Sequence, residues 1–546
     1  MKIQHKLKIW LVLSIAVVLV VSCKDELEKS PLDQFDSASF WTSEENALLA
    51  LTGVYKGNIA VNGTSVNPTD WWSYAGLIFL EFATDNAYDR RGNNSAFHKL
   101  SGGTLTPNIN ILGNYWAQSY TRIARCNDFL VNIGKVPMDE TKKKRMAAEV
   151  RFIRAAQYFY MSQFWGSVPL VTKLLTPEEA NTLTKAPKAE VVAFVLSEFT
   201  DAAADLPRYK DIPAAERGRA SKQAALAFLG RLQLAEGKYA EAANSYKTII
   251  DFGDNIIDPD YPGLFVTANE NSHEHIFIFQ HLDNLSGHGL PQHAWPAVAG
   301  GWHIICPLGS IVEAHQFSDG TPFSYTDPRY DHRDLKKNRD PRLGYNILFN
   351  GDSFKGRYIT HPDSARAPDQ LGAGKQTTQT GYGIRKFMDE GYTGGQTLYG
   401  GNLPVIRYAE VLLSYLEAKL EAGHPIDQGL LNATINRVRG RSSVNMPPVT
   451  QTNPAQLREI LRNERRVELA FEGIRYWDLL RWKIADKVLK ADFYGTPFPQ
   501  AVKKRHKNAN TIDPHGRWYV TTRNFRMSDY QWPIPQGETN INPGLK

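Results

Sequence analysis

A chain of 546 residues, 42% apolar and 22% charged, is globular in composition and long enough for one large helical array or several smaller domains. Of its +6 net charge, Lys2, Lys6 and Lys8 lie in the first 22 residues, so the rest carries only +3, too little to argue for a nucleic-acid partner. Three cysteines exclude a disulfide framework and a four-cysteine zinc site, and the 11% aromatic share is high enough to ask where those rings go.

Residues 1–22 read as a targeting leader. Lys2, Lys6 and Lys8 precede an apolar run from Ile9 to Val21, broken only by Ser14. As a helix that run spans about 20 Å, short of the ~30 Å hydrocarbon core, which fits a secretory signal better than a spanning helix. Val20-Val21-Ser22-Cys23 resembles a bacterial lipobox, in which Cys23 is acylated and becomes the mature N-terminus. The chain would then be anchored to a membrane without crossing it. Residues 23–39 are polar and acidic, as a tether is.

Thr42 or Ser43 can cap a helix whose apolar face is Ala47, Leu51, Val54 and Tyr55. A loop with Asp70-Trp71-Trp72-Ser73-Tyr74 follows, then a helical pattern up to Asp85-Asn86-Ala87-Tyr88. Tyr115 to Leu130, Arg145 to Trp165 and the stretch from Pro187 to Pro207 are helical in period. Cys126 falls in the first of these as a small hydrophobe, and a disulfide to Cys306 stays open in an exported chain. Arg219 to Ile250 is a helical pair turning at Gly237, with Leu229, Gly230, Ala242 and Tyr246 at tetratricopeptide-like offsets.

Residues 256–402 are rich in Gly, Pro, Asp and aromatics and read as a loop-rich lobe, with a short strand at Ile276 to Phe279. His273-Glu274-His275 lacks the i, i+4 histidines of a zinc protease and reads as a strand edge. Leu403 to Leu420 and Leu430 to Arg439 return to helix. Asn453-Pro454 opens a further helix, which runs into the densely charged stretch Glu464 to Trp482. Gly473 suits a left-handed helix end there, and the chain after residue 490 is irregular. Carboxylates set among arginines stay ionised, so this stretch reads as ion pairs between helices more readily than as acid–base catalysts.

With these residues in place, the chain resembles the SusD/RagB family of Bacteroidetes surface lipoproteins. Glu464, Arg465, Glu468, Glu472, Gly473, Arg475, Asp478, Leu479, Arg481 and Trp482 match its signature. Arg407 to Leu413 with Glu417-Ala418, Asn436 to Arg439 with Arg441, Arg339 to Leu343, Asp319-Gly320 and Pro533 to Pro535 agree collinearly. So do Phe40-Trp41, Tyr55, Asp85-Asn86 and Arg151 to Ala155 near the front. Lys24-Asp25-Glu26 resembles the acidic export signal that follows the lipid Cys in such lipoproteins.

The resemblance implies a mostly α fold: one domain over 40–546, with tetratricopeptide-like repeats mainly at 40–255 and 403–490, an inserted irregular lobe at 256–402 and an irregular tail at 491–546. It also implies a non-enzymatic lid at the outer membrane, facing outward and anchored in lipid through Cys23. That lid would pass oligosaccharides, or in some branches peptides, to a SusC-like TonB-dependent barrel.

Sugar recognition asks for flat aromatic faces and polar side chains. Trp71, Trp72, Tyr74 and Tyr88 in the early loop region and Trp295, Trp302, Tyr325 and Tyr330 in the lobe lie outside clear helical periods. Trp71 or Trp72, Tyr88, Trp295 and Trp302 form the expected platform, with Asp70, Asn86 and Arg90 as hydrogen-bonding partners. The competing reading is that each ring packs the lobe onto the repeats. A lipid-anchored glycoside hydrolase would need a carboxylate pair roughly 5–9.5 Å apart across a cleft. No hydrolase motif, phosphate loop, zinc spacing or EF-hand-like calcium loop is present, and no cofactor is expected. A third reading is a repeat scaffold that binds only proteins.

Overall fold

The computed structural model describes residues 40–374 and 376–546. The leader, Cys23 and the tether to residue 39 lie outside the described residues. The fold is mostly α-helical. Its main helices are α1 (Glu44–Lys56), α2 (Asn110–Asn132), α3 (Glu140–Phe164), α4 (Lys188–Asp205), α5 (Lys222–Ala235), α6 (Tyr239–Phe252), α7 (Tyr408–Glu421), α8 (Pro454–Glu468) and α9 (Arg475–Arg481). From α1 to α8 each helix packs on the next in sequence, the nearest-neighbour stacking of a repeat array.

Local chemistry explains the helix ends. Ser43 Oγ accepts the Asn46 N–H at 3.2 Å to start α1, and Asn453 Oδ1 accepts those of Ala455 and Gln456 with Pro454 at the first helical position of α8. In the α5–α6 hairpin Gly237 turns the chain at φ +71°. Gly230 leaves room for Tyr246; a Cβ there would lie 2.6 Å from the ring.

The strands are short and occur in pairs: β1 (Ala87–Asp89), β2 (His275–Phe279), β3 (Ile305–Pro307), β4 (Ile347–Leu348), β5 (Gly383–Ile384), β6 (Leu403–Arg407), β7 (Asp492–Pro497) and β8 (Arg517–Thr522). The antiparallel pairs are β1–β3, β2–β6, β4–β5 and β7–β8. Two of these pairs stitch the lobe to the rest: β1 precedes α2, and β6 runs into α7.

The structure corrects four local readings. Leu403–Arg407 is strand β6 and not the start of a helix, because β-branched Val405 and Ile406 favour extended backbone and the segment pairs antiparallel with β2. The 430–439 helix is broken at Thr434 (φ −122°, ψ −98°). The tail after 490 contains the β7–β8 hairpin. Gly473 is left-handed at φ +77° but lies past the end of α8, where a Cβ would sit 2.2 Å from the Leu77 carbonyl oxygen. Cys126 and Cys306 are free and buried, and burial pushes their thiols up to about 12 and about 11.

The charged stretch around α8 and α9 is a buried ion-pair lattice. Glu468 meets Arg441 at 2.7 Å, Arg342 at 3.0 Å and Arg407 at 3.1 Å. Glu464 meets Arg342 at 2.6 Å and also pairs with Arg439, while Glu472 meets Lys386 at 2.6 Å and Arg407 at 2.7 Å. Glu274, beside β2, joins Arg441 at 3.0 Å and also Arg407. Arg465 reaches Asp478 at 2.7 Å and Glu410 on α7 at 3.3 Å, and Arg481 holds Glu417 at 2.6 Å. Burial opposes the charge on Glu468, but Arg441, Arg407 and Arg342 outweigh it and hold the carboxyl at about 2.

Glu468→Gln leaves these arginines short of a counter-charge, and we expect it to cost about 3–5 kcal/mol in equilibrium denaturation. The folded value of about 2 lies below the ordinary 4.5, so the stabilisation is complete above about pH 4.5 and is lost as pH falls toward 2. The variant should therefore lose less stability than wild type between about pH 6 and about pH 3; an equal loss in both chains would refute this account of Glu468.

Candidate functional site

The structure divides the expected site residues into an interior group and a surface group. Asp70, Trp71, Trp72 and Asn86 are fully buried. Trp71 stacks on Tyr115 at 4.0 Å and on Tyr160 at 4.6 Å, in an aromatic column that continues through Phe164 to Trp532. Its indole N–H donates to Ser119 Oγ at 2.8 Å. Trp72 donates to Tyr160 Oη and lies under the Arg122 guanidinium. Asp70 accepts the Trp72 N–H and pairs with Arg122 at 2.9 Å. Asn86 donates to Glu81 and accepts from Arg466 at 2.8 Å. These four residues cement α2, α3 and the C-terminal segment and offer no face to a ligand.

Tyr74 is also interior, with its hydroxyl against Ser65 and His293. Trp295 is only 5% exposed, packed edge-on to Phe354 with the Lys355 ammonium over its ring. Tyr325 and Tyr330 are half-buried in a separate cluster. His515 stacks on Tyr325 at 4.3 Å, Glu313 accepts its hydroxyl hydrogen bond at 2.7 Å, and Arg517 bridges to Tyr494 on β7. The Tyr325 face is thus covered from within the chain.

What remains assembles at one end of the β1–β3 ladder. Register pairs Tyr88 with Cys306 and Asp89 with Ile305, and the Arg90 N–H continues it to the Ile304 carbonyl at 3.0 Å. The chain entering β3 is tied to the short helix Leu290–Ala294: Trp302 N–H donates to Gln292 O, and Ile304 N–H to His293 O, both at 2.7 Å. Trp302 is half-buried, its ring 5.1 Å from that of His293. Arg90, Arg91 and the turn Gly92–Asn94, with Asn93 and Asn94 exposed, complete the rim from the β1 side. Tyr88 is 9% exposed and supports this rim from beneath, packed on His98 at 4.3 Å.

Several polar atoms here are sealed from solvent and have no partner among the described residues: Arg90 Nε, His293 Nε2 and Gln396 Oε1. Gln396 belongs to the same surface through its carbonyl, which accepts from Gln292, and its amide, which donates to Ala299. Burial, with Arg91 and Arg90 nearby, lowers His293 to about 3, so it is neutral. A partly exposed indole at the same end of the ladder as a guanidinium and amide side chains can take the C–H face of a ring while those groups meet its hydroxyls. Concavity does not mark the place: cavities of about 460, 590 and 750 Å³ are lined by other residues, such as Leu48 and Phe277, Lys188 and Trp477, or Trp165 and Arg526.

Of the residues expected from sequence to bind, Arg90 and Trp302 are the ones that lie on this surface without full cover; His293, Gln292, Gln396, Asn93 and Asn94 also belong to it and are not among those expectations. The Arg90-Arg91-Gly92-Asn93-Asn94 run was a usable signal, since such residues seldom build a core. The glutamines carry no signal until the lobe is folded.

A model of the SusD family matches residues 273–546, and one described as starch-binding, associating with the outer membrane, matches 72–234. A solved SusD-like carbohydrate-binding protein of Bacteroides fragilis is 49% identical, with a TM-score of 0.90 over 93% of this chain and 100% of that one. SusD-like protein P2 of Formosa agariphila is 24% identical over 87% of this chain and 90% of its own. The starch-binding protein SusD of Bacteroides thetaiotaomicron is 23% identical over 85% and 87%.

The two tryptophan environments make opposite predictions. Trp71→Ala empties the aromatic column and should cost about 3–5 kcal/mol in urea denaturation. Trp302→Ala removes a partly buried ring at the edge of the core and should cost less, about 1–2 kcal/mol. The reverse order would make Trp302 a packing residue of the core and remove it as a binding face.

Proposed function

The chain belongs to the SusD/RagB family of Bacteroidetes, and on that footing we propose that it captures oligosaccharides at the cell surface and hands them to a SusC-like TonB-dependent outer-membrane barrel, acting as its lid. In this reading residues 40–546 work as one domain, held at the outer membrane and facing outward by a lipid on Cys23. The observation that carries the ligand class is Trp302, an indole left half-open beside polar groups that lack internal partners. Relatives named for carbohydrate, starch and, in a further solved structure, laminarin point to the same class of ligand.

We read the protein as a binder and not as a hydrolase. The carboxylates crowded into its signature, Glu464, Glu468 and Glu472, are each paired to two or more cations in the interior, where they do not reach a substrate.

Calorimetry of the purified full chain against a polysaccharide-derived oligosaccharide panel should show binding without release of reducing ends. Trp302→Ala should weaken that binding at least about tenfold, or about 1.4 kcal/mol. Affinity for peptides with none for glycans would reassign the cargo, and turnover would reassign the protein to the hydrolases. The lid role predicts co-purification with a barrel protein from outer membranes; a chain that never does so acts alone.

A further inference from the structure

We infer that the sugar taken at the Trp302 surface is anionic, its carboxylate or sulfate ester bound by the guanidinium of Arg90. This deepens the glycan-binding reading of the same surface and rests on it. Arg90 is anchored by its backbone alone, through its N–H to Ile304 O. Its side chain makes no hydrogen bond and no ion pair with any described residue, although its Nε is sealed from solvent. A guanidinium placed this way lacks both full hydration and a counter-charge, an arrangement that costs free energy until an anion arrives.

The surroundings show that this is a local choice. The next residue, Arg91, is held by Asp89, with Nε at 3.0 Å and an Nη at 2.5 Å. A second carboxylate near the surface, Asp369, accepts the Ala297 and Val298 N–H groups and meets His303 at 3.2 Å. Both acids are therefore occupied, and no carboxylate lies within ion-pair distance of Arg90 among the described residues. His293 adds an independent pointer. It is completely buried, is neutral, and holds Nε2 without a partner next to the Trp302 ring. The surface thus combines an aromatic face with one uncompensated positive charge. Carboxylates and sulfate esters each present two or more oxygens to the planar fork of an arginine, and hydroxyls alone do not match its charge.

The test uses the full chain and two matched probe pairs: oligogalacturonate with its methyl ester, and a sulfated galactan oligosaccharide with its desulfated form. The expected result is that one acidic form binds at least tenfold more tightly than its neutral counterpart, with a preference that shrinks at high salt. Arg90→Gln should reduce the preference to within about twofold while leaving the unfolding curve unchanged, and Arg90→Lys should retain part of it. Equal affinity within both pairs, a preference that survives Arg90→Gln, or no binding by either acidic form overturns the proposal. Trp302→Ala separates the two layers. If it abolishes binding of a neutral glycan that shows no acidic preference, the glycan site stands and only the anionic assignment falls.

Discussion

The constraint on which the rest of this structure depends is the burial of charge around Glu468. An isolated carboxylate there would be expelled or neutralised; three arginines from three separate segments keep it ionised. Arg342 comes from the lobe, Arg407 from the end of β6 and Arg441 from the loop before α8. Each of these cations also serves a second acid, so the cluster is satisfied only when lobe, β6 and α8 are all in place. Such a lattice contributes little net stability compared with an apolar core, because desolvation offsets most of the Coulomb gain. Its effect is on geometry: a shifted register leaves several buried charges bare at once.

The lattice also fixes where the lobe sits, and through it the candidate site. Glu274, Arg407 and Glu472 lock the strand pair β2–β6, and Arg466 and Arg475 hold Asp85 at 2.9 Å, immediately before β1. Beside the pinned Asp85, the Asn86 carbonyl accepts the Leu308 N–H at 2.9 Å, which lays β3 along β1. Arg90 and Trp302, more than two hundred positions apart in the chain, come to the same end of the β1–β3 ladder as a consequence.

The early tryptophans show why an irregular loop is not a reliable sign of a surface. The loop at residues 70–73 is buried because its polar groups find partners inside: Asp70 takes a backbone N–H and Arg122, and Ser73 caps the helix Tyr74–Leu77. With those contacts made, the two indoles follow the ordinary drive of large apolar rings into the core. Trp532, far away at the C-terminus, closes the column and has no signal near residue 71.

The family, the helical periods, the caps at Ser43 and Asn453, the tight Gly230–Tyr246 contact and the ionic character of residues 464–482 were all legible in the order of the residues. These are local patterns or collinear motifs, and backbone propensity and spacing are enough to read them. Folding in three dimensions was needed to settle which aromatics face solvent, that Leu403–Arg407 pairs as a strand, and that Arg90 stands without a counter-charge beside Trp302. Exposure and charge compensation are set by what packs against a residue from distant parts of the chain. Trp71 and Trp302 look alike in sequence and differ because a column of rings covers one and nothing in the described chain fully covers the other.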